Sequence, residues 1–384
     1  MSARLARWAT RRPHAILAVA PAATAARLAV ERELAALGGV VAVSAADADV
    51  LIVVGEPGDD LSAAIENVWR QLPGPRARAQ ILSADQARQA LAVAVLHLGD
   101  EQQVREAAQR RDEWRPTDPA MGNDKGGHGD GGMQMPAGLM MADRGPDRDG
   151  LKLDVLQVPW GPVLADWPAG LVVDLTLQGD LVQRAEARVM PPAGSSSVPF
   201  WDADAGAQRR HRHAAAHLDS LGRLLAVAGW PGMAERVRRL RDGVLADGST
   251  RELREELSRT GRRVRRARTL RWATDGLGVL TDDLVRQAGV SGPAARSVAN
   301  GGDVTARWQC WLAEAERLLQ PDAAVDEEGP RGRRAGDRPA SAALLEAAQH
   351  LMAGVDVAAA RLVLASFDPD PDELLAVTSA QVDD

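Results

Sequence analysis

The chain has 384 residues, of which 45% are hydrophobic and 26% charged, with a formal net charge of −7. This is ordinary globular composition, long enough for two or three domains, and the acidic balance argues against general affinity for nucleic acid. Cys310 is the only cysteine and Lys125 and Lys152 the only lysines, which excludes an intrachain disulfide, a cluster held by several thiolates of this chain, and visible lysine Schiff-base or P-loop chemistry.

The N-terminus, with Arg11-Arg12 before His14 to Ala26, looks like a twin-arginine signal. Its apolar part before Pro21 is only about five residues, short of the ~7–15 of a signal core, so a cytoplasmic location is expected. No apolar run approaches the ~20 residues that cross a bilayer. Residues 14 to 111 alternate short apolar runs with helical patterns, the signature of an α/β layer. Strands are predicted at Ala15 to Ala20, Val40 to Ser44, Val50 to Gly55 and Ala79 to Ser83. Helices are predicted at Thr24 to Leu37, Asp60 to Gln71, Asp85 to Leu96 and Glu101 to Arg111. The strands should form a parallel sheet covered on both faces. Residues 112 to 137, rich in glycine, aspartate and methionine, read as a flexible linker.

From Leu151 the pattern turns to strands at Leu153 to Val158, Leu171 to Leu177 and Leu181 to Val189, the last two joined by a Gln178-Gly179-Asp180 hairpin turn. Helices dominate from about Ala203. Leu218, Leu221, Leu225 and Ala228 define one apolar face, and further helices are predicted at 231–246, 250–267, 279–287, 303–319, 340–353 and 357–365. Gly289 to Arg296 reads as a turn, and 321–339 as a polar loop.

Several of these segments carry a resemblance to NADH-quinone oxidoreductase, the respiratory complex I. Ser44 to Gly55, continued by Asn67 to Pro75, resembles the component of that complex related to the small subunit of nickel-iron hydrogenases. Met140 to Pro146 with Asp149-Gly150-Leu151, Gln178 to Val182, His217-Leu218, Gly289 to Arg296, and Ala340 to Pro369 with Ser366-Phe367-Asp368-Pro369 resemble, in order, the component related to the hydrogenase large subunit. The resemblance implies three parts: a flavodoxin-like α/β domain over 14–111, the linker over 112–137, and over 138–384 a mainly α domain with a small antiparallel sheet, as in the hydrogenase large subunit. It also implies NAD-linked, quinone-binding redox chemistry among the protein subunits of a respiratory or hydrogenase-like complex, with peripheral membrane association through those partners at the inner face of the cell membrane.

The chain departs from that pattern at the cofactor positions. The loop after the first strand is Ala20-Pro21-Ala22-Ala23-Thr24, and the last strand leads into Ser83-Ala84-Asp85, where the family carries cluster cysteines. The family's quinone pocket uses histidines and a tyrosine; here stand Asp147-Arg148-Asp149, and the chain has no tyrosine. Asp368-Pro369-Asp370-Pro371 holds no cysteine pair for nickel and iron. The expectation is a fused accessory or structural subunit with no iron-sulfur or nickel-iron cofactor. The alternative is a quinone-binding oxidoreductase subunit using Asp149, His217 and Asp368, since carboxylate and imidazole can exchange protons with a quinone.

Other constellations carry less. His211, His213 and His217 start a helix without a carboxylate or cysteine spaced to complete a metal site, so no metal is expected. Nine arginines from Arg251 to Arg271 could form an RNA- or protein-binding module. Glu252, Glu255 and Glu256 balance the first half, and no aromatic is interleaved before Trp272. A solvated face or an acidic protein partner is therefore favoured over nucleic acid. Cys310 reads as a buried, inert thiol.

Overall fold

The computed structural model describes residues 12–100, 102, 105, 144–146, 152–194, 199–203, 205–324 and 327–380. The first unit runs β1 (His14–Val19), α1 (Thr24–Ala36), β2 (Val40–Val41), β3 (Val50–Val54), α2 (Asp59–Gln71), β4 (Ala77–Ile81) and α3 (Ala87–Leu98). Its four strands are parallel in the order β2-β1-β3-β4, the flavodoxin-like arrangement. Strand β3 is apolar and buried at every position because both faces of the sheet are covered. One face packs on α1 and α3 through Val50, Ile52, Leu34 and Leu91. The other packs on α2 through Leu51, Val53, Leu61 and Ile65, and also on Val163, Val172 and Met190 from later in the chain. The segment after Arg11-Arg12 is thus a core strand.

The second unit begins with an antiparallel sheet, β5 (Arg144–Pro146), β6 (Lys152–Trp160), β7 (Leu171–Gln178) and β8 (Leu181–Val189), in sequential order. Helices follow: α4 (Gly206–Val227), α5 (Pro231–Asp247), α6 (Arg251–Arg265), α7 (Arg268–Thr274), α8 (Asp282–Ala288), α9 (Gly292–Arg296), α10 (Val304–Leu318), α11 (Ala340–Met352), α12 (Val357–Phe367) and α13 (Pro371–Ala380). Helix α4 is buried nearly all round from His213 to Leu225 and packs against α5, α10 and α12 in the main hydrophobic core. A small parallel α/β layer and a mainly helical part with an antiparallel sheet are the expected fold class.

Four local expectations change. The strand at Val40 to Ser44 shortens to two residues, because β2 pairs only with the start of β1 and Val43 turns out to solvent. Gly289 to Arg296 is a helix end followed by the short helix α9: Gly289 closes α8 with φ 71°, and Pro293 sits in the first turn of α9. The helix expected at 250–267 is α6, and α7 is a further short helix between it and the one expected at 279–287. Helix α13 lies beyond every predicted element. The linker at 112–137 and Asp149 lie outside the described residues, as does nearly all of the helix at 101–111.

Candidate functional site: a buried charge network where the two units meet

Helix α1 rests its outer face on the helical unit. Arg27, only 5% exposed, reaches Asp219 of α4: Nη2 donates to Oδ2 at 2.7 Å and Nη1 to Oδ1 at 3.2 Å. Arg241 of α5 donates from Nη1 to Asp219 Oδ1 at 2.6 Å and to Glu31 Oε2 at 2.7 Å. Arg27 closes the ring on Glu31 Oε1 at 2.7 Å. Arg238 of α5 lies beside Glu31 and pairs with Asp166.

Arg223, one helical turn after Asp219, bridges onward: it sits 3.3 Å from Asp219 and donates to Asp368 Oδ1 at 3.0 Å. Asp368 caps α12 with φ 41°. It also accepts from Ser220 Oγ at 2.7 Å and from Arg331 Nη2 at 2.5 Å, while Arg331 Nε donates to its carbonyl at 2.7 Å. Nearby, Ser366 accepts from buried Arg307 Nε at 2.9 Å. Arg27, Arg223, Arg238, Arg241 and Arg331 thus meet Glu31, Asp166, Asp219, Asp242 and Asp368 in one connected array.

Burial governs the protonation states. Burial alone would raise the Glu31 carboxyl, but Arg27, Arg241 and Arg238 outweigh it and hold it at about 2. Asp219 follows the same balance and is held well below the usual carboxylate range by Arg27, Arg223 and Arg241. Burial pulls the Arg27 and Arg241 guanidiniums down, and their carboxylate partners more than restore them. Asp370 goes the other way: burial first, then the neighbouring Asp372 and Glu373, push it well above its ordinary value.

The same C-terminal segment closes the turn between β1 and α1. Asp372 Oδ1 accepts from the Ala22 amide at 2.6 Å and Oδ2 accepts from Thr24 Oγ1 at 3.1 Å, contacts that are 350 and 348 residues apart along the chain. The carboxylate takes the amide just ahead of the helix and the hydroxyl of its first residue, and an anion at a helix start complements the helix dipole. The turn is also closed from the sheet side, where Gly55 sits with φ 84° and an added Cβ would meet Ala23 Cβ at 2.6 Å. With alanine side chains, a carboxylate already engaged by the turn and no thiolate, the turn does not fit an iron-sulfur cluster.

No family model and no curated protein matches this sequence. Among solved structures, the chain is similar to one from the membrane-bound sulfane sulfur reductase, an archaeal respiratory membrane complex. Identity is 14% and the TM-score 0.39, over 58% of this chain and 98% of that one.

The cavity where the units meet, lined by Leu17, Arg27, Glu31, Asp166, Trp167 and Arg223, holds about 30 Å³. That is room for one or two waters, far below the ~300 Å³ at the lower end of small-molecule sites. His217 is 3% exposed. Burial first, then Arg331 and His213, hold its ring neutral by lowering its pKa well below the usual value. It borders a pocket of only about 10 Å³. Asp368 is buried and engaged by Ser220, Arg223 and Arg331. His217 and Asp368 therefore share Arg331 as a neighbour without sharing an open cavity. His213 Nε2 lies 3.4 Å from Asp202, and among the described residues no three histidine, cysteine or acidic side chains gather at metal-ligand geometry. Cys310 is half-buried, and burial pushes its thiol up.

Sequence reasoning missed Arg27, Glu31, Asp219, Arg241 and Arg331. Arg331 in particular belongs to the stretch that reads as a polar loop, yet it is 3% exposed. The loop folds inward because Gly332 packs its backbone on Gly292, whose added Cβ would meet Gly332 Cα at 2.6 Å. Asp219 had a signal. It is the one acid in α4 and stands among Ala214 to Ala216, Leu218, Leu221, Leu224 and Leu225, where a buried carboxylate requires a cationic partner.

Proposed function

We propose that this chain is an accessory, structural component of a redox complex. In this reading a hydrogenase small-subunit-like part over 14–111 and a hydrogenase large-subunit-like part over 138–384, both of the NADH-quinone oxidoreductase kind, are fused through 112–137, and neither part carries a cofactor of its own. The observation that carries the reading is the β1–α1 turn. The position where the resemblance implies cluster ligands is occupied by alanines and sealed by Asp372. The charge network extends the same logic: groups that could titrate during turnover are instead neutralised in pairs, and the space between the units takes water rather than a ring. Such a part serves an assembly by presenting a fixed surface to partner proteins, and it needs no NAD or quinone of its own.

Calorimetric titration of the full chain with a quinone analogue tests this. No saturable binding is expected. The competing reading, a quinone-binding component acting through Asp149, His217 and Asp368, draws support from His217 Nδ1, which is buried without a hydrogen-bond partner. Saturable binding that is lost in His217→Phe and in Asp149→Asn would establish that reading and end the accessory one.

A further inference from the structure

We propose that the face formed by α6 and α7 docks directly on an anionic lipid surface. Residues 257 to 274 hold seven arginines and no carboxylate. Arg265 alone turns inward, where Glu316 takes it in two hydrogen bonds of 2.7 and 3.1 Å. Arg259 leans back to Glu256 and Arg271 to Asp275. Arg262 donates to the Ser258 hydroxyl. Arg263, Arg266 and Arg268 are exposed and meet no carboxylate among the described residues.

Two features set this face apart from an ordinary solvated helix. Elsewhere on the surface arginines alternate with acids at helical spacing, as in Arg239 with Glu235 and Arg251 with Glu255. Here Arg259 with Arg263, and Arg262 with Arg266, place like charges four apart, which destabilises a helix. These four arginines line an open depression of about 570 Å³ with Trp230 and Thr269. Beside it, Trp272 is 88% exposed, four residues after Arg268 and so on the same face of α7. An indole standing out among guanidiniums that lack acidic partners is the combination that settles at a lipid headgroup layer, the ring at the apolar boundary and the cations on the phosphates.

Charge complementarity selects the occupant. Single-stranded RNA needs a groove with successive stacking platforms, and this face offers one exposed ring over a shallow surface. An acidic protein would take the arginines but would leave Trp272 in water unless it supplied a socket. No residue of the face belongs to the network between the units, so this inference stands or falls independently of the accessory reading.

The test is flotation of the full chain with vesicles of phosphatidylcholine containing roughly a third phosphatidylglycerol, against pure phosphatidylcholine. Each basic side chain near such a surface contributes about fivefold to partitioning. Anionic vesicles are expected to carry the protein upward and neutral ones to leave it behind, with the association weakening as salt rises. The Arg263→Glu/Arg266→Glu variant should lose at least about tenfold, and Trp272→Ala several-fold at constant salt. Circular dichroism checks that these exposed substitutions leave the fold intact. The proposal is overturned by absence of flotation at low salt, by equal flotation on neutral vesicles, or by variants that bind as the parent does. Retention of polyglutamate or a uridine-rich RNA through the same arginines without flotation would assign the face to an acidic protein or to nucleic acid, and would overturn it equally.

Discussion

Replacing Asp219 by asparagine removes one charge from the centre of the network while nearly keeping the side chain's shape. Asp219 is 1% exposed and accepts hydrogen bonds from Arg27 and Arg241, with Arg223 at 3.3 Å. Breaking a buried pair by removing one partner costs about 3–5 kcal/mol because the other charge is stranded away from water. Arg27 and Arg241 each keep Glu31 at 2.7 Å, which places the expected loss near the bottom of that range, about 3 kcal/mol. Arg27→Met leaves Asp219 with two cations and should cost about 2 kcal/mol. Because both act on one network, the double variant should fall short of the sum by about 1 kcal/mol or more. Urea denaturation followed by circular dichroism and by tryptophan fluorescence measures this. Coincident transitions in the parent would show that the units unfold together, and Asp219→Asn should begin to separate the two probes. Losses below about 1 kcal/mol for both single variants, adding without coupling, would refute the claim that these charges hold the units together.

Asp372→Ala should cost about 1–2 kcal/mol by removing the acceptor of the Ala22 amide and the Thr24 hydroxyl, read as faster hydrogen exchange at the Ala22 amide; unchanged exchange would contradict its role in closing the turn. Glu31 is depressed from 4.5 to about 2, so its stabilisation is fully present above the unfolded value and lost as pH falls through the folded one. The gap corresponds to about 3 kcal/mol at most, and Glu31→Gln should flatten the acid limb of the stability profile measured by urea denaturation. Asp370 has the opposite sign. Its raised value means that the stability tied to its neutral form is lost as pH rises through the folded value, so Asp370→Asn should gain stability relative to the parent on the alkaline side of the same profile.

Strands are legible in the sequence where local pattern suffices. Val50 to Val54 is apolar throughout because both faces of its sheet are covered, and the alternation around Gln178-Gly179-Asp180 gives β7 and β8 directly. Val40 to Ser44 reads as too long a strand because a β-like run at a sheet edge has a partner on one side only, and the chain leaves that partner after Val41 while β1 runs on to Val19. The resemblance singles out Asp368, which does lie at a conjunction of elements, but as a charge-paired cap. Arg27 and Asp219 stand 192 residues apart, and no periodicity links an arginine on one helix to an acid on another. Arg331 is hidden for a different reason: a run of arginines and glycines looks solvated unless the glycine beside it is known to admit close backbone packing.

Iron, nickel and acid-labile sulfide analysis of anaerobically purified native protein, with identification of the chains that accompany it, tests the central claim most directly. The account expects partner proteins to co-purify and the isolated chain to hold none of the three in stoichiometric amount. Stoichiometric iron and sulfide that stay with this chain after its partners are stripped away would contradict it.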